Sequence, residues 1–447
     1  MTNDYRELVR LDLAHQLHPQ YHVADHENPV IYERGEGSLL YDVNGKEYID
    51  GLSGLWNVAV GHGRAELAEA AAAQMRELAF SNSYVGYANV PSIRLAEKLM
   101  SMVYPNMQAV LFSNSGSEAV EVAIKIARYF WFLEGKPDKN KIVARKEAYH
   151  GGTLGATAAT GLPPFWQGFG PLPPNFVRVD TCYPYRHTGS GDGCDLSCAD
   201  AVEQAIIAEG PETVAALIAE PVHGAGGVIV PGEGYWWRLR EICDRHDVLL
   251  IADEVITGFG RTGRWFALSH WGVQPDMMTV AKAITSAYVP LAGTIYSTRI
   301  HETILSAPTD KKFMHGYTNA AHPTACAVAL RNLQIMEDEG LIDHAASMGE
   351  KLLQGLRTLS SHPNVGDVRG LGLIAAVELV ADRSTKAPFE VAEKVGPRLQ
   401  KALRERGLIT RLKGEIVLLA PPLVTTPEQI DCIIEVVRDS TQEVVGV

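Results

Sequence analysis

The chain has 447 residues, 46% hydrophobic and 21% charged, which describes a globular protein large enough for two domains, or for one large domain with a smaller lobe, and excludes a disordered or fibrous chain. Forty basic residues against 53 acidic ones give a net charge of −13, and no Lys/Arg run is present on which a nucleic-acid backbone could lie, so that class of partner is excluded. The polar start, Met1 to Arg10, and the lack of any apolar window of about 18 residues predict neither secretion nor membrane spanning, hence a cytoplasmic protein.

In chain order, Leu8 to His22 reads as a short amphipathic arm. Val30-Ile31-Tyr32-Glu33, Leu39-Leu40-Tyr41-Asp42 and Glu47-Tyr48-Ile49-Asp50 read as a small antiparallel meander turning at Asn44-Gly45. A helix is predicted from Ala65 to Leu78. From Ala109 to about Ile295 short apolar strands alternate with amphipathic helices. The strands are Ala109 to Phe112, Lys141 to Ala144, Val177 to Asp180, Val214 to Glu220, Val248 to Asp253 and Met277 to Ala281. Such alternation predicts an α/β architecture, a mostly parallel sheet covered by helices on both faces. Past Gly316 long helices (Thr324 to Glu339, Ile342 to Leu359) give way to strands at Leu373 to Val380 and Glu415 to Leu419, a second lobe.

Ligands in parallel sheets bind at the carboxyl ends of the strands, and chemistry is concentrated there. After Val110-Leu111-Phe112 comes Ser113-Asn114-Ser115-Gly116-Ser117-Glu118, where Ser115 and Glu118 fit a capping box and the helix start offers amides and hydroxyls to an anion. Tyr149-His150-Gly151 offers a ring on which a planar ligand can stack. Asp253 leaves an apolar strand, where a carboxylate needs a cationic or hydrogen-bonding partner to stay ionised. Lys282 ends another such strand, and desolvation lowers an amine's pKa, the condition for a Schiff base. Together these match what pyridoxal phosphate requires: a lysine, a ring-nitrogen partner, a stacking platform and a phosphate anchor.

Two competing readings are open on the residues alone. Gly258-Phe259-Gly260-Arg261-Thr262-Gly263 matches a dinucleotide fingerprint and Gly370-Leu371-Gly372 a looser form of it, which would indicate a nicotinamide or flavin oxidoreductase. Cys182, Cys194 and Cys198 with His187 form a cluster, but at no standard zinc spacing, so reduced thiols rather than a metal are expected.

The chain resembles the class III, pyridoxal-phosphate-dependent aminotransferases over nearly its whole length. The resemblance is carried by Asn114-Ser115-Gly116-Ser117-Glu118-Ala119, Tyr149-His150-Gly151, Glu220-Pro221, Asp253-Glu254-Val255-Ile256-Thr257-Gly258-Phe259-Gly260-Arg261 and Ala281-Lys282, in family order. It implies fold type I: a large domain (residues 67–325) with a mostly parallel seven-stranded sheet between helices, and a smaller α+β domain from both termini (1–66 and 326–447). It implies that Lys282 carries the cofactor as a Schiff base and moves the proton, and that Asp253 pairs the ring nitrogen with Glu220 beside it. Tyr149 and Ile256 would cover the two ring faces, with His150 alongside, and Ser115, Gly116 and Ser117 would hold the phosphate. Thr318, in His315-Gly316-Tyr317-Thr318, would reach the phosphate of the neighbouring subunit in a homodimer or a tetramer of dimers. Here Asn319-Ala320-Ala321 precedes His322-Pro323, where the family often has an aromatic residue, a small residue and Gly.

Family members that use 2-oxoglutarate carry an arginine where Gly152 stands, so the resemblance favours a monocarboxylic acceptor. Trp56, Tyr84 and Ala225 match pocket positions of the amine–pyruvate (omega) aminotransferases, and Arg411 matches their mobile arginine. The expected reaction is transfer of an amino group from an amine or omega-amino acid to pyruvate. A diaminopelargonate-forming enzyme and a class III racemase or decarboxylase are the alternatives.

Overall fold

A computed structural model describes residues 4–20, 22, 29–187 and 195–446 of the chain. At its centre is a seven-stranded sheet built from β4 (Met107–Ser113), β5 (Lys141–Arg145), β6 (Phe176–Val179), β7 (Val214–Ala219), β8 (Leu249–Asp253), β9 (Met277–Val280) and β10 (Ala292–Ser297). Their spatial order is β4-β10-β9-β8-β7-β5-β6. Every residue of β7 and β8 is buried, as expected of strands covered on both faces. Strands β5 to β9 pair in parallel, whereas β10 runs antiparallel to both β9 and β4. The reason is the connection: residues 281–291 hold only the single turn Lys282–Ile284, too little for the crossover that a parallel neighbour needs. The helix Gly116–Leu133 packs along one face and buries Ile126, Phe130 and Trp131 against it.

The expected meander is present as β1 (Tyr32–Glu36), β2 (Leu39–Asp42) and β3 (Glu47–Asp50). It turns at Gly45, whose φ is +80°, and the Asp42 carboxylate accepts from the amides of Asn44 and Lys46, both at 2.9 Å. The later strands are β11 (Val365–Gly370), β12 (Ala375–Leu379), β13 (Leu408–Ile409), β14 (Arg411–Lys413) and β15 (Ile416–Leu419). Strand β13 joins the meander by pairing in parallel with β3, and β11-β12-β15-β14 form a third sheet. The arm is helical over Tyr5–His15 and buries none of its side chains. Among the described residues no helix is long and apolar enough to cross a membrane.

Candidate active site

The carboxyl ends of the central strands converge on a cavity of about 380 Å³. Ser115, Gly116 and Ser117 line it together with Tyr149, Asp253 and Lys282. The first three form a helix start whose first amides have no intrahelical acceptor. Ser115 Oγ accepts from the Glu118 amide at 3.2 Å, but Glu118 does not close the expected capping box. Its carboxylate reaches one residue further back, to the amide and side chain of Asn114 at 2.7 and 2.9 Å. Gly151 packs directly on Ser117: a Cβ there would lie 2.3 Å from Ser117 Oγ, and its φ is +132°.

Asp253 closes β8 opposite Thr279 of β9. Its Oδ1 accepts from Thr279 Oγ1 at 2.9 Å and from the Val255 amide at 3.1 Å, and its Oδ2 lies 2.6 Å from His150 Nδ1. Within the chain this carboxylate thus has His150, Thr279 and the Val255 amide as partners, and the buried Nε2 of His150 has no hydrogen-bond partner. Beside it, Glu220 accepts from the amides of Tyr149 (3.0 Å) and Gly224 (2.9 Å). Burial pushes the Glu220 carboxyl above its usual range, the nearby His150 opposing and Asp253 adding to the rise.

Lys282 follows β9 in the left-handed region, with φ +51°. Desolvation pulls its amine down to about 8, against the pull of Asp253 and Glu220. Its Nζ stands 5.8 Å from the centre of the Trp56 ring, and the Arg411 guanidinium stands 5.9 Å from the same ring. Trp56, Ala225 and Ile256 share one apolar cluster, and Ile256 faces the cavity. Gly224 lets that cluster close, since a Cβ there would lie 2.3 Å from Ile256 Cδ1.

Two expected site residues stand apart from the cavity within one chain. Thr318 is exposed, and Tyr84 lines a separate hollow of about 330 Å³ with His315 and Gly316. The glycine fingerprint proves to be a clasp. The Arg261 guanidinium is buried and donates to the carbonyls of Leu373 (2.9 Å) and Pro421 (2.6 Å) and to Ser53 Oγ (2.9 Å). Gly372, at φ +58°, packs on Thr262, so the second glycine motif is the first one's neighbour and neither opens a helix. Of the cysteine cluster, Cys182 and Cys198 are buried, while Cys194 lies outside the described residues. Among the described residues no group of three or more His, Cys, Asp or Glu is arranged to hold a metal.

Sequence reasoning missed Thr279, which the register of β9 against β8 would have placed beside Asp253. It also missed a support under the same strand end. The fully buried Glu254 accepts from Tyr104 Oη at 2.6 Å and from the amides of Ala267 and Leu268 at 3.0 and 3.1 Å.

These residues fit pyridoxal phosphate. The helix start and the Gly151 cradle suit a phosphate, the braced Asp253 suits a protonated ring nitrogen, and a partly neutral lysine faces them both. The comparisons agree. Residues 21–440 match the family Aminotransferase class-III. The structure superposes with a TM-score of 0.95 on the thermostable (S)-enantioselective omega-transaminase of Thermomicrobium roseum, at 47% identity over 99% of each chain. With the Pseudomonas jessenii omega transaminase, solved in complex with PMP, the TM-score is 0.93 at 41% identity over 98% of each chain. The diaminobutyrate–2-oxoglutarate transaminase of Halomonas elongata is 39% identical over 96% of this chain and 94% of its own. The taurine–pyruvate aminotransferase of Bilophila wadsworthia is 40% identical over 97% and 96%. The chain belongs to the class III aminotransferases, enzymes that work with pyridoxal phosphate.

Proposed function

We propose that this aminotransferase takes the amino group of an amine or omega-amino acid and delivers it to pyruvate, giving alanine. The observation that carries the reading is a cavity that joins Lys282, Asp253 and the Ser115–Ser117 helix start while Gly152 leaves open space on its own side. Pyridoxal phosphate, when bound, supplies an electron sink for the carbon that loses its proton. Ser115, Gly116 and Ser117 hold its phosphate, Tyr149 and Ile256 cover its ring, and Lys282 tethers it. Asp253, braced by His150 and Thr279, keeps the ring nitrogen protonated. Lys282 then holds and moves the proton at its Nζ, a task suited to an amine whose pKa lies near the working pH.

Acceptor choice rests on Gly152. No Cβ placed there would touch any atom within 4 Å, and without a guanidinium at that place a second carboxylate lacks its bidentate partner. A single carboxylate is served by Arg411 from the other side. The Bilophila relative is named for pyruvate and the Halomonas one for 2-oxoglutarate, so the family allows both. Thr318 and Tyr84 complete the site of a neighbouring subunit in a cytoplasmic homodimer, which accounts for their distance from the cavity of their own chain. The deciding measurement loads the enzyme with amino groups from a simple amine and then follows alanine from pyruvate against glutamate from 2-oxoglutarate. Glutamate formed as fast as alanine overturns the acceptor reading.

A further inference from the structure

Lys282 opens an unusual loop. Lys282, Ser286 and Ala287 all lie in the left-handed region, at φ +51°, +47° and +62°. Residues with a side chain are disfavoured there, and such a conformation persists only where its surroundings over-determine it. The loop makes hydrogen bonds of its own, among them Ala287 N to the Lys282 carbonyl (3.3 Å) and Thr285 Oγ1 to the Val289 carbonyl (2.6 Å), and one side chain from a distant helix joins them. Asn332, fully buried on the helix Pro323–Asp338, donates from Nδ2 to the carbonyls of Ala283 (2.9 Å) and Ile284 (3.1 Å), the two residues that follow Lys282. Its Oδ1 accepts from Ser286 Oγ at 2.7 Å, and Ser286 Oγ in turn accepts from the Val60 amide at 3.1 Å. The carboxamide can face only one way, because the reverse would set its oxygen against two carbonyl oxygens. Both donors and the acceptor are used, on a fully buried side chain.

We propose that Asn332 is a positioning residue for Lys282: its carboxamide holds the left-handed turn that aims the lysine amine into the cavity. The inference rests on Lys282 being the cofactor lysine. The turn sets the direction in which the Lys282 side chain leaves the backbone, and the proton it moves is sensitive to that direction. The Ser286 link extends the clamp to Val60, four residues after Trp56, so one carboxamide relates the lysine to the opposite wall of the pocket.

The test uses holoenzyme throughout. Borohydride trapping on the unmodified enzyme comes first, and a label on any lysine other than Lys282 defeats the underlying reading rather than this one. With the label on Lys282, Asn332→Leu removes every polar contact at nearly constant volume, and Asn332→Asp keeps the acceptor but loses both donors. Ser286→Ala is the milder variant that preserves folding. In single-turnover amination by a simple amine, the two Asn332 variants should lose ~100-fold in rate, the scale of an ångström of misplacement, with the apparent amine Kd unchanged. The pH titration of the cofactor–lysine absorption band should move in both, and Ser286→Ala should move rate and band the same way to a smaller extent. Wild-type rates and an unmoved band in folded Asn332 variants overturn the proposal. Should neither Asn332 variant fold, an unchanged rate and band in Ser286→Ala overturn it equally.

Discussion

Arg411 donates from Nη2 to the side-chain oxygen of Gln20 at 2.7 Å, a partner 391 positions away in the chain. That partner is neutral. A carboxylate would be a stronger partner for this guanidinium than a neutral amide, because hydrogen bonds between two ionised groups are the stronger ones. Desolvation lowers the pKa of Arg411, with Tyr149 opposing, so the guanidinium has something to gain from an incoming carboxylate. Arg411→Ala should leave amination of the cofactor by an aryl-alkyl amine within about tenfold of wild type. It should weaken the half-reaction with pyruvate by ~2–4 kcal/mol, the range for truncating one partner of a buried charge pair. Gln20→Glu should do the reverse of freeing it: the new ion pair holds Arg411 back and raises the pyruvate KM alone. Equal losses in both half-reactions of Arg411→Ala would assign the residue to the fold.

Asp253→Asn removes the charge proposed to face the ring nitrogen while keeping the contacts from Thr279 and Val255. The chemical step should slow on the order of 100- to 1000-fold, as for other losses of one preorganised electrostatic partner. Borohydride should still fix the cofactor to Lys282. Near-normal single-turnover rates would remove Asp253 from the role.

The pH dependence follows from Lys282, whose pKa is pulled down from 10.5 to about 8. A lowered amine pKa means that the ammonium form prevails below about 8 and the neutral, nucleophilic form above it. Capture of pyridoxal phosphate by the apoprotein should therefore accelerate from roughly pH 7 to 9 and level off beyond, one unit either side of the midpoint. An ordinary surface lysine would go on accelerating past 10. A stopped-flow profile with its inflection near 10 would contradict the desolvated amine.

Gly152 faces open space, so a long side chain can be added there without a clash. Gly152→Arg should raise kcat/KM for 2-oxoglutarate by about tenfold to a hundredfold, which corresponds to one charged hydrogen-bonded pair of ~1.5–3 kcal/mol. Gly151→Ala is the contrasting substitution. Its methyl would strike Ser117 in a left-handed backbone, and cofactor titration should show weaker binding with little change in the fold elsewhere.

The central strands were legible because a strand covered on both faces must be apolar along its whole length, as β7 and β8 are. Lys282 and Asp253 stood out because each ends such a run. The direction of β10 was not legible, since it depends on how short the preceding connection is and not on any pattern within the strand. Glu118 was assigned to its own helix cap, whereas its carboxylate bonds to Asn114. Gln20, Asn332 and Tyr104 were invisible for a different reason: each acts on a residue tens to hundreds of positions away, and no local periodicity encodes such a meeting. Tyr84 and Thr318, expected in the site from the family resemblance, stand outside their own chain's cavity.

The pairing of β13 with β3 brings Leu408 and Ile409 alongside Ile49 and Asp50. Trp56 leaves that same segment, so the wall against Lys282 stays unsupported until residues near 409 have been made. During synthesis the first fifty residues must wait for most of the chain to emerge, and no nascent fragment holds a finished pocket. A stop codon placed after the helix Pro323–Asp338 and before residue 408 should thus yield a protein that retains the seven central strands yet fails to retain its coenzyme, a failure of assembly order rather than of any contact within the large sheet.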